Sequence, residues 1–360
     1  MRLVFVTQSI DAEDPILGAT VAKLRALAQR CEEVVVIADR IGSHDLPQNC
    51  TLRTFGAPTR FRRGLRFLHA LLPLLLRRLG RRPDALIAHM CPIYLVLAAP
   101  LAKSMRVPLL IWYTHWTLDR TLRLATALAD VGLSVDRRSY PIDSPKVRGI
   151  GHGIDIAQFA ARDGAPPADG KLKLLALGRT SPSKNFATLL RACARARGEG
   201  LDLRAEIRGP SSTEEERLYR RELERLILST GLEEVVRLHE AVPRPAVPEL
   251  VRAADVVVNT TLGQTAGGAL DKVVYEAASC AVPVIACNPH FDAFLADLPV
   301  ELRFASGDDA DLARVLRDFA AADVELREEA GRELRRRVER GHSVDSWADR
   351  VVATVRSLRG

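Results

Sequence analysis

The residues best suited to chemistry lie in one short stretch, Gly178-Arg179-Thr180-Ser181-Pro182-Ser183-Lys184-Asn185. The apolar run Leu172-Lys173-Leu174-Leu175-Ala176-Leu177 precedes it and reads as a buried strand. Phe186-Ala187-Thr188-Leu189-Leu190-Arg191-Ala192 follows and reads as a helix. A strand therefore ends in a glycine, an arginine and a lysine at the mouth of a strand–loop–helix unit. Open α/β sheets bind their ligands at that end of the strands. Two fixed cations beside a helix amino terminus, which carries partial positive charge, suit a diphosphate. A basic surface loop would use the same letters, so the rest of the chain decides its meaning.

A second segment lies further on. Asp255-Val256-Val257-Val258-Asn259 reads as a strand, Gln264-Thr265-Ala266-Gly267-Gly268 as a glycine-bearing loop, Asp271 to Ser279 as a helix, and Val282-Pro283-Val284-Ile285-Ala286 as another strand. Within it, Glu276-Ala277-Ala278-Ser279 leads into Pro283-Val284-Ile285-Ala286. Between the halves runs Val147-Arg148-Gly149-Ile150-Gly151-His152-Gly153-Ile154-Asp155, ending in the aromatic Phe159, and Asp14-Pro15-Ile16-Leu17-Gly18 precedes the first helix. Taken in this order, from about residue 1 to about residue 345, these segments resemble glycosyltransferase family 4, the retaining nucleotide-sugar transferases of GT-B fold.

The resemblance implies roles residue by residue. Arg179 and Lys184 match the pair that stabilises charge on the leaving β-phosphate, an electrostatic task that needs no metal. Glu276 matches the carboxylate that takes the ribose diol, because one carboxylate accepts two hydroxyls at once. His115, at the end of Ile111-Trp112-Tyr113-Thr114-His115, matches a histidine facing the donor sugar; a packed aromatic-cluster histidine is the other reading. Gly18 lies in a loop that meets the acceptor or the leaving phosphate, unless it is a turn glycine of positive φ. Many members carry an acid eight positions before Glu276, where this chain has Gly268, preceded by Gly267. Those glycines can bring backbone amides to the sugar instead, and Asp271 is the nearest acid able to take over sugar contacts. Asn259 and Gln264 are weaker candidates. His89 is a candidate to line the same cleft, His152 a hinge or contact residue, and His239 with Glu240 mark where the family meets the base.

The elements that must position these groups alternate. Strand candidates in the first half are Arg2–Thr7, Glu33–Ala38, Thr51–Phe55, Ala85–His89, Pro108–Tyr113, Gly132–Val135 and Lys146–Ile150, with helices such as Thr20–Gln29 and Tyr94–Ser104 between them. After the linker-like Ala160 to Gly170, strands restart at Lys171–Leu177, Leu203–Arg208, Val235–His239, Asp255–Asn259, Val282–Ala286 and Val300–Phe304. Alternation of this kind predicts parallel, doubly wound α/β sheets. With the resemblance, the expectation is a GT-B fold of two Rossmann-like domains facing across a cleft. Residues 1–160 form an acceptor-side domain, residues 161–343 a nucleotide-sugar-binding domain, and a last helix at about 344–360 returns to the first domain.

Composition bounds the rest. The chain has 360 residues, 47% hydrophobic and 27% charged, which suits two globular domains and excludes a disordered or collagen-like chain. Six scattered cysteines without a Cys-x-x-Cys pair read as reduced, in a cytoplasmic protein. The first residues read as a strand rather than a signal peptide, and no apolar run is long enough to cross a membrane. The net charge of +7 is uneven: eight arginines and no acid lie between Arg60 and Arg82, around the leucine-rich Leu65 to Leu79. That segment is either a helix for the inner face of an anionic membrane or a core helix with charged ends. Pro73 should kink or break it in both cases. A nucleic-acid partner is not expected, because few aromatics accompany the arginines.

The expected activity is transfer of a sugar from a UDP- or GDP-sugar to an acceptor hydroxyl, with retention, on a glycan or lipid-linked acceptor. No cofactor or metal is expected beyond the donor itself. A nucleotide-sugar 2-epimerase of the same fold and a non-catalytic nucleotide-sugar-binding subunit are the alternatives, the second suggested by Gly268.

Overall fold

The computed structural model describes residues 1–14, 17–76, 80–115, 117–164, 170–263 and 271–359. Two compact units emerge, one of Met1–Asp155 with Gly341–Gly360, the other of Ile156–Thr265 with Asp271–Arg340.

The first unit is built on seven strands, β1 (Arg2–Ile10), β2 (Glu33–Ile41), β3 (Cys50–Thr54), β4 (Ala85–His89), β5 (Leu109–Trp112), β6 (Val131–Ser134) and β7 (Val147–Gly149). They pair in the order β3-β2-β1-β4-β5-β6-β7, every pair parallel. The central strands bury both faces, which is why Val34-Val35-Val36-Ile37 is a continuous apolar run and not an alternating one. Helices α1 (Ala19–Ala28), α2 (Arg60–Leu75), α3 (Pro92–Ser104) and α4 (Arg120–Leu128) connect them. The carboxy-terminal helix, Val344–Ser357, packs on α1. Its Trp347 is fully buried, and the ammonium of Lys23 sits over the rings of Trp112 and Trp347, 4.7 and 5.2 Å from their centroids. Two glycines make this packing achievable. Gly151 (φ +81) abuts the carbonyl of Gly341 with no room for a Cβ, and a Cβ on Gly153 (φ +76) would lie 2.6 Å from Lys23 Cε.

Helix α2 is not broken at Pro73, contrary to one of the two expected outcomes. It buries Phe67, Ala70, Leu71, Leu74 and Leu75, a helical stripe, and it runs through Pro73 before ending at Leu75. Proline removes the bond to the carbonyl four residues back and crowds it, and here that carbonyl belongs to the exposed His69, where water can satisfy it. Several of the arginines are tied down: Arg63 to Asp39 at 3.2 Å, Arg81 to Asp84 at 3.1 Å, Arg66 to the Gly56 carbonyl, and Arg82 to the carbonyls of Leu75 and Met105. Phe61 and Leu65 remain exposed on the outer side. Arg77 and Arg78 lie outside the described residues. Among the described residues no helix is long and apolar enough to cross a membrane.

The second unit holds β8 (Leu172–Leu177), β9 (Leu203–Arg208), β10 (Val236–His239), β11 (Val256–Asn259) and β12 (Val284–Ala286), paired in parallel in the order β10-β9-β8-β11-β12. The chain order reverses between β8 and β11, and an open α/β sheet forms its ligand crevice at such a reversal, outside the carboxyl ends of the strands. Helices α5 (Phe186–Gly198), α6 (Glu214–Ser229), α7 (Val247–Arg252) and α8 (Lys272–Ser279) belong to this unit. The expected strand at Val300–Phe304 reduces to an isolated bridge between Ala286 and Arg303, because the edge strand β12 is too short to support a longer ladder. All six cysteines are free, and burial pushes the thiols of Cys31 and Cys50 up to about 11 and those of Cys193 and Cys280 up to about 12.

Candidate functional site

The loop after β8 is held by close backbone packing. A Cβ on Gly178 would lie 3.1 Å from Lys184 Cε, and one on Gly209 would collide with the Gly178 carbonyl. Glycine at both places lets the loops after β8 and β9 touch and lays the lysine stem along the backbone. Pro182–Lys184 form a single 3₁₀ turn, and Asn185 (φ +49) turns the chain into α5. Asparagine tolerates that left-handed conformation better than most residues.

Lys184 lies at the β8–β11 reversal but does not face it unpaired. Its Nζ is 2.6 Å from Asp271 Oδ1, with both side chains mostly buried. Asp271 Oδ2 accepts from Asn259 Nδ2 at 2.8 Å and from the Thr261 hydroxyl. Thr260 Oγ1 donates to the Lys184 carbonyl at 2.7 Å. Burial pushes the Asp271 carboxyl up, but Lys184, Asn259 and Thr261 outweigh it and leave it below the ordinary carboxylate range. Asp271 occupies the amino-cap position of α8 without capping it, since its carboxylate is turned to Lys184.

Arg179 is held differently. Its side chain is 56% exposed, and its Nη1 contacts Glu216 Oε1 at 3.1 Å, while Glu216 is almost wholly buried. Glu216 also accepts the Ser212 and Thr213 backbone N–H groups at 2.7 and 3.1 Å through Oε2. Thr213 Oγ1 accepts the Glu216 N–H in return, so Thr213-Glu214-Glu215-Glu216 is a capping box at the start of α6. One buried carboxylate thus starts a helix and orients the arginine.

Glu276 is 4% exposed and meets two cations on one oxygen: Arg244 Nη2 lies 2.9 Å and Lys272 Nζ 3.3 Å from Oε1. Burial pushes this carboxyl up, and Lys272 and Arg244 together bring it below its ordinary value. Burial in turn lowers Lys272. Neither Glu216 nor Arg244 was expected from sequence. The Thr-x-x-Glu pattern was a legible signal for Glu216; Arg244, in a turn between two prolines, carried none.

In the first unit, His115 Nδ1 accepts the Thr117 N–H at 3.1 Å, so a neutral ring carries its proton on Nε2, and its ring lies edge-on to Tyr113. His89 is a core residue: it is buried, 3.3 Å from the Thr7 hydroxyl and packed on Phe5, and burial with the nearby Lys23 holds it well below the ordinary histidine range. Gly18 has φ −54, an ordinary helical value, so the positive-φ reading of this glycine does not hold. His152 is buried between Gly151 and Gly153. The His239 carbonyl accepts the Gly209 N–H at 3.2 Å, and Glu240 pairs with Arg220 at 3.2 Å. Gln264, Gly267 and Gly268 lie outside the described residues. Among the described residues no group of three or more His, Cys, Asp or Glu side chains is placed to hold a metal ion.

The second unit therefore gathers Lys184, Asp271, Asn259 and Thr261 between the ends of β8 and β11, with Glu276 further along α8. The loop also carries Arg179, fixed by Glu216. Chemically this is a set of oriented cations suited to phosphate oxygens, beside a charged carboxylate suited to hydroxyl donors.

Residues 171–321 match the family model of the glycosyl transferases group 1. The chain is 34% identical over 160 residues to the D-inositol 3-phosphate glycosyltransferase of Kineococcus radiotolerans, a match covering 41% of this chain and 35% of that one. It is 31% identical over 216 residues to the protein of the same name from Streptomyces avermitilis, covering 56% and 45%. The matches thus span less than half the length of these curated relatives. Among solved structures, Anabaena HepE in complex with UDP-glucose superposes with a TM-score of 0.74 at 18% identity, covering 99% of this chain and 100% of that one. Sucrose-phosphate synthase from Thermosynechococcus elongatus gives 0.72 at 16% identity, covering 99% and 98%. The two doubly wound parallel sheets are those of the GT-B fold.

Proposed function

We propose that this chain is a retaining glycosyltransferase of family 4 type, moving a hexose from a UDP- or GDP-sugar to an acceptor hydroxyl without a metal. The observation that carries the reading is the clustering of Lys184 with the start of α8 at the strand-order reversal, with Arg179 on the same loop. Departure of the nucleotide leaves negative charge on the β-phosphate, and Arg179 and Lys184 are the groups that neutralise it. Glu276 takes the ribose diol, and His115, with its proton on Nε2, donates to a sugar hydroxyl. Retention follows from departure and attack on one face of the sugar. The glycosyltransferase names of the relatives and the UDP-glucose bound by HepE support the donor class.

The acceptor reading is a cell-envelope glycan or lipid-linked hydroxyl, reached at the inner face of a membrane. Its support is local: Phe61 and Leu65 stand exposed among Arg60, Arg62 and Arg66 on the outer side of α2. Such a surface binds anionic lipid through apolar insertion and charge together.

Thermal shift against UDP, GDP, ADP and their sugars, without metal, tests the donor. One nucleotide family should raise the melting temperature, and its sugar form should raise it further. No shift from folded protein would overturn the reading. A second reading, nucleotide-sugar binding without catalysis, is favoured by one observation: Asp271 already engages Lys184. Binding without transfer or slow hydrolysis of the donor would decide for it.

A further inference from the structure

Glu276 is enclosed by a closed circuit of contacts. Arg244 leaves the 3₁₀ turn Arg244–Ala246 and reaches Glu276 Oε1 at 2.9 Å. The guanidinium lies over the ring of Phe159, 5.4 Å from its centroid. Phe159 is fully buried, and its carbonyl accepts the Ser279 hydroxyl of α8 at 2.8 Å and Arg335 Nη1 at 3.3 Å. Ser279 lies one turn beyond Glu276 on the same helix. The ring therefore holds the arginine, the arginine holds the carboxylate, and the helix bearing that carboxylate holds the ring's backbone. Lys272 alone does not enclose Glu276 in this way, because it is anchored to α8 itself.

We infer that Arg244 is a positioning residue that, plated on Phe159, fixes the Glu276 carboxylate as the acceptor of a ribose diol. The inference rests on the nucleotide-sugar reading of the site. With both cations on Oε1, the diol falls to Oε2. Charge matters as much as direction. The groups around this carboxyl are Lys272 from its own helix, Arg244 from the turn before α7, and the Cys280 thiol one turn on. Burial alone would raise the carboxyl, and a protonated carboxyl no longer accepts two hydroxyls. Removing the Arg244 charge leaves Lys272, among the described residues, to balance a buried acid.

The test uses the full chain and whichever of UDP, GDP and ADP stabilises it most. Its Kd is measured by calorimetry from about pH 5.5 to about pH 8.5 for wild type, Arg244→Met and Arg244→Gln. Dividing each variant's Kd by the wild-type value at the same pH removes the nucleotide's own titration. The ratio should reach about tenfold or more at the acid end and shrink as pH rises. Arg244→Gln, which keeps a donor but no charge, should show the same profile and stands in should Arg244→Met fail to fold. A ratio that is constant with pH overturns the inference. So does a full loss of affinity on adding Arg244→Met to Glu276→Gln, where the change should stay within about twofold. Should Glu276→Ala leave Kd unchanged in folded protein, the ribose reading itself falls, and the inference with it.

Discussion

Lys184 Nζ lies 2.6 Å from Asp271 Oδ1, joining the loop after β8 to the start of α8. The lysine proposed to receive a diphosphate thus holds an internal anion in this structure. Breaking such a pair from one side leaves a mostly buried charge without its counter-ion. Asp271→Asn should therefore cost the ligand-free protein about 3 kcal/mol. It should also enlarge the melting-temperature rise produced by a nucleoside diphosphate, which then supplies the missing anion. An unchanged or smaller ligand-induced rise would remove Lys184 from the phosphate site.

Arg179→Ala and Glu276→Ala should each lower kcat/KM for transfer by about 10²–10³-fold while circular dichroism shows a folded chain. Arg179 is half exposed, so its loss should barely move the melting temperature; Glu276 is buried against two cations, so its loss should move it clearly. Full activity in either folded variant would sink that assignment.

Glu216→Gln separates orientation from charge. It weakens the capping box of α6, at about 1 kcal/mol, and removes the anion that directs Arg179. The pair is exposed on the arginine side, so it adds little stability by itself. We expect kcat to fall about tenfold with KM for the donor less affected, as for a group that matters most when charge develops on the phosphate. A rate equal to wild type would show that Arg179 needs no guide.

The first unit should lose stability in mild acid. Burial and the nearby Arg350 push His342 down to about 4, whereas an unfolded histidine titrates near its ordinary value. The unfolded chain therefore binds the proton first. The contribution is complete above about pH 6.5 and lost as pH falls toward 4, amounting to about 3 kcal/mol. Buried His89 adds in the same direction. The described tryptophans, Trp112 and Trp347, are both buried in the first unit, so denaturant melts followed by tryptophan fluorescence read this unit. His342→Phe should flatten the pH profile; an unaltered profile would assign it elsewhere.

Transfer should proceed undiminished in excess EDTA, because the proposed mechanism assigns the charge on the leaving phosphate to Arg179 and Lys184. Loss of rate on chelation, restored by a divalent cation, would overturn that assignment.

Much of this was legible in the chain. Short, β-branched apolar runs such as Val34 to Ile37 favour strands covered on both faces, and their alternation with helices favours parallel pairing. The Gly178 to Asn185 loop is local, so its strand–turn–helix geometry follows from its own residues. Val300–Phe304 misled because its apolar content matches a strand while the edge it needed is only three residues long. Pro73 does not break α2, because the carbonyl it leaves unpaired belongs to the exposed His69 and the helix ends two residues later. His89 looked like a site residue because strand ends and cores draw on the same residue types; its neighbours Thr7 and Phe5 are more than eighty positions away.

The sequence by itself determined the two α/β units, the strands and the cations that end one of them, since these depend on residues close together in the chain. Only the tertiary structure decided what each charge faces: Arg179 on Glu216, Lys184 on Asp271, Glu276 between Arg244 and Lys272. Arg179, Glu216, Lys184, Asp271, Arg244 and Glu276 each contact a partner from a distant segment. Burial, which sets whether such a contact holds a charge or merely decorates a surface, exists only once the sheet has gathered them.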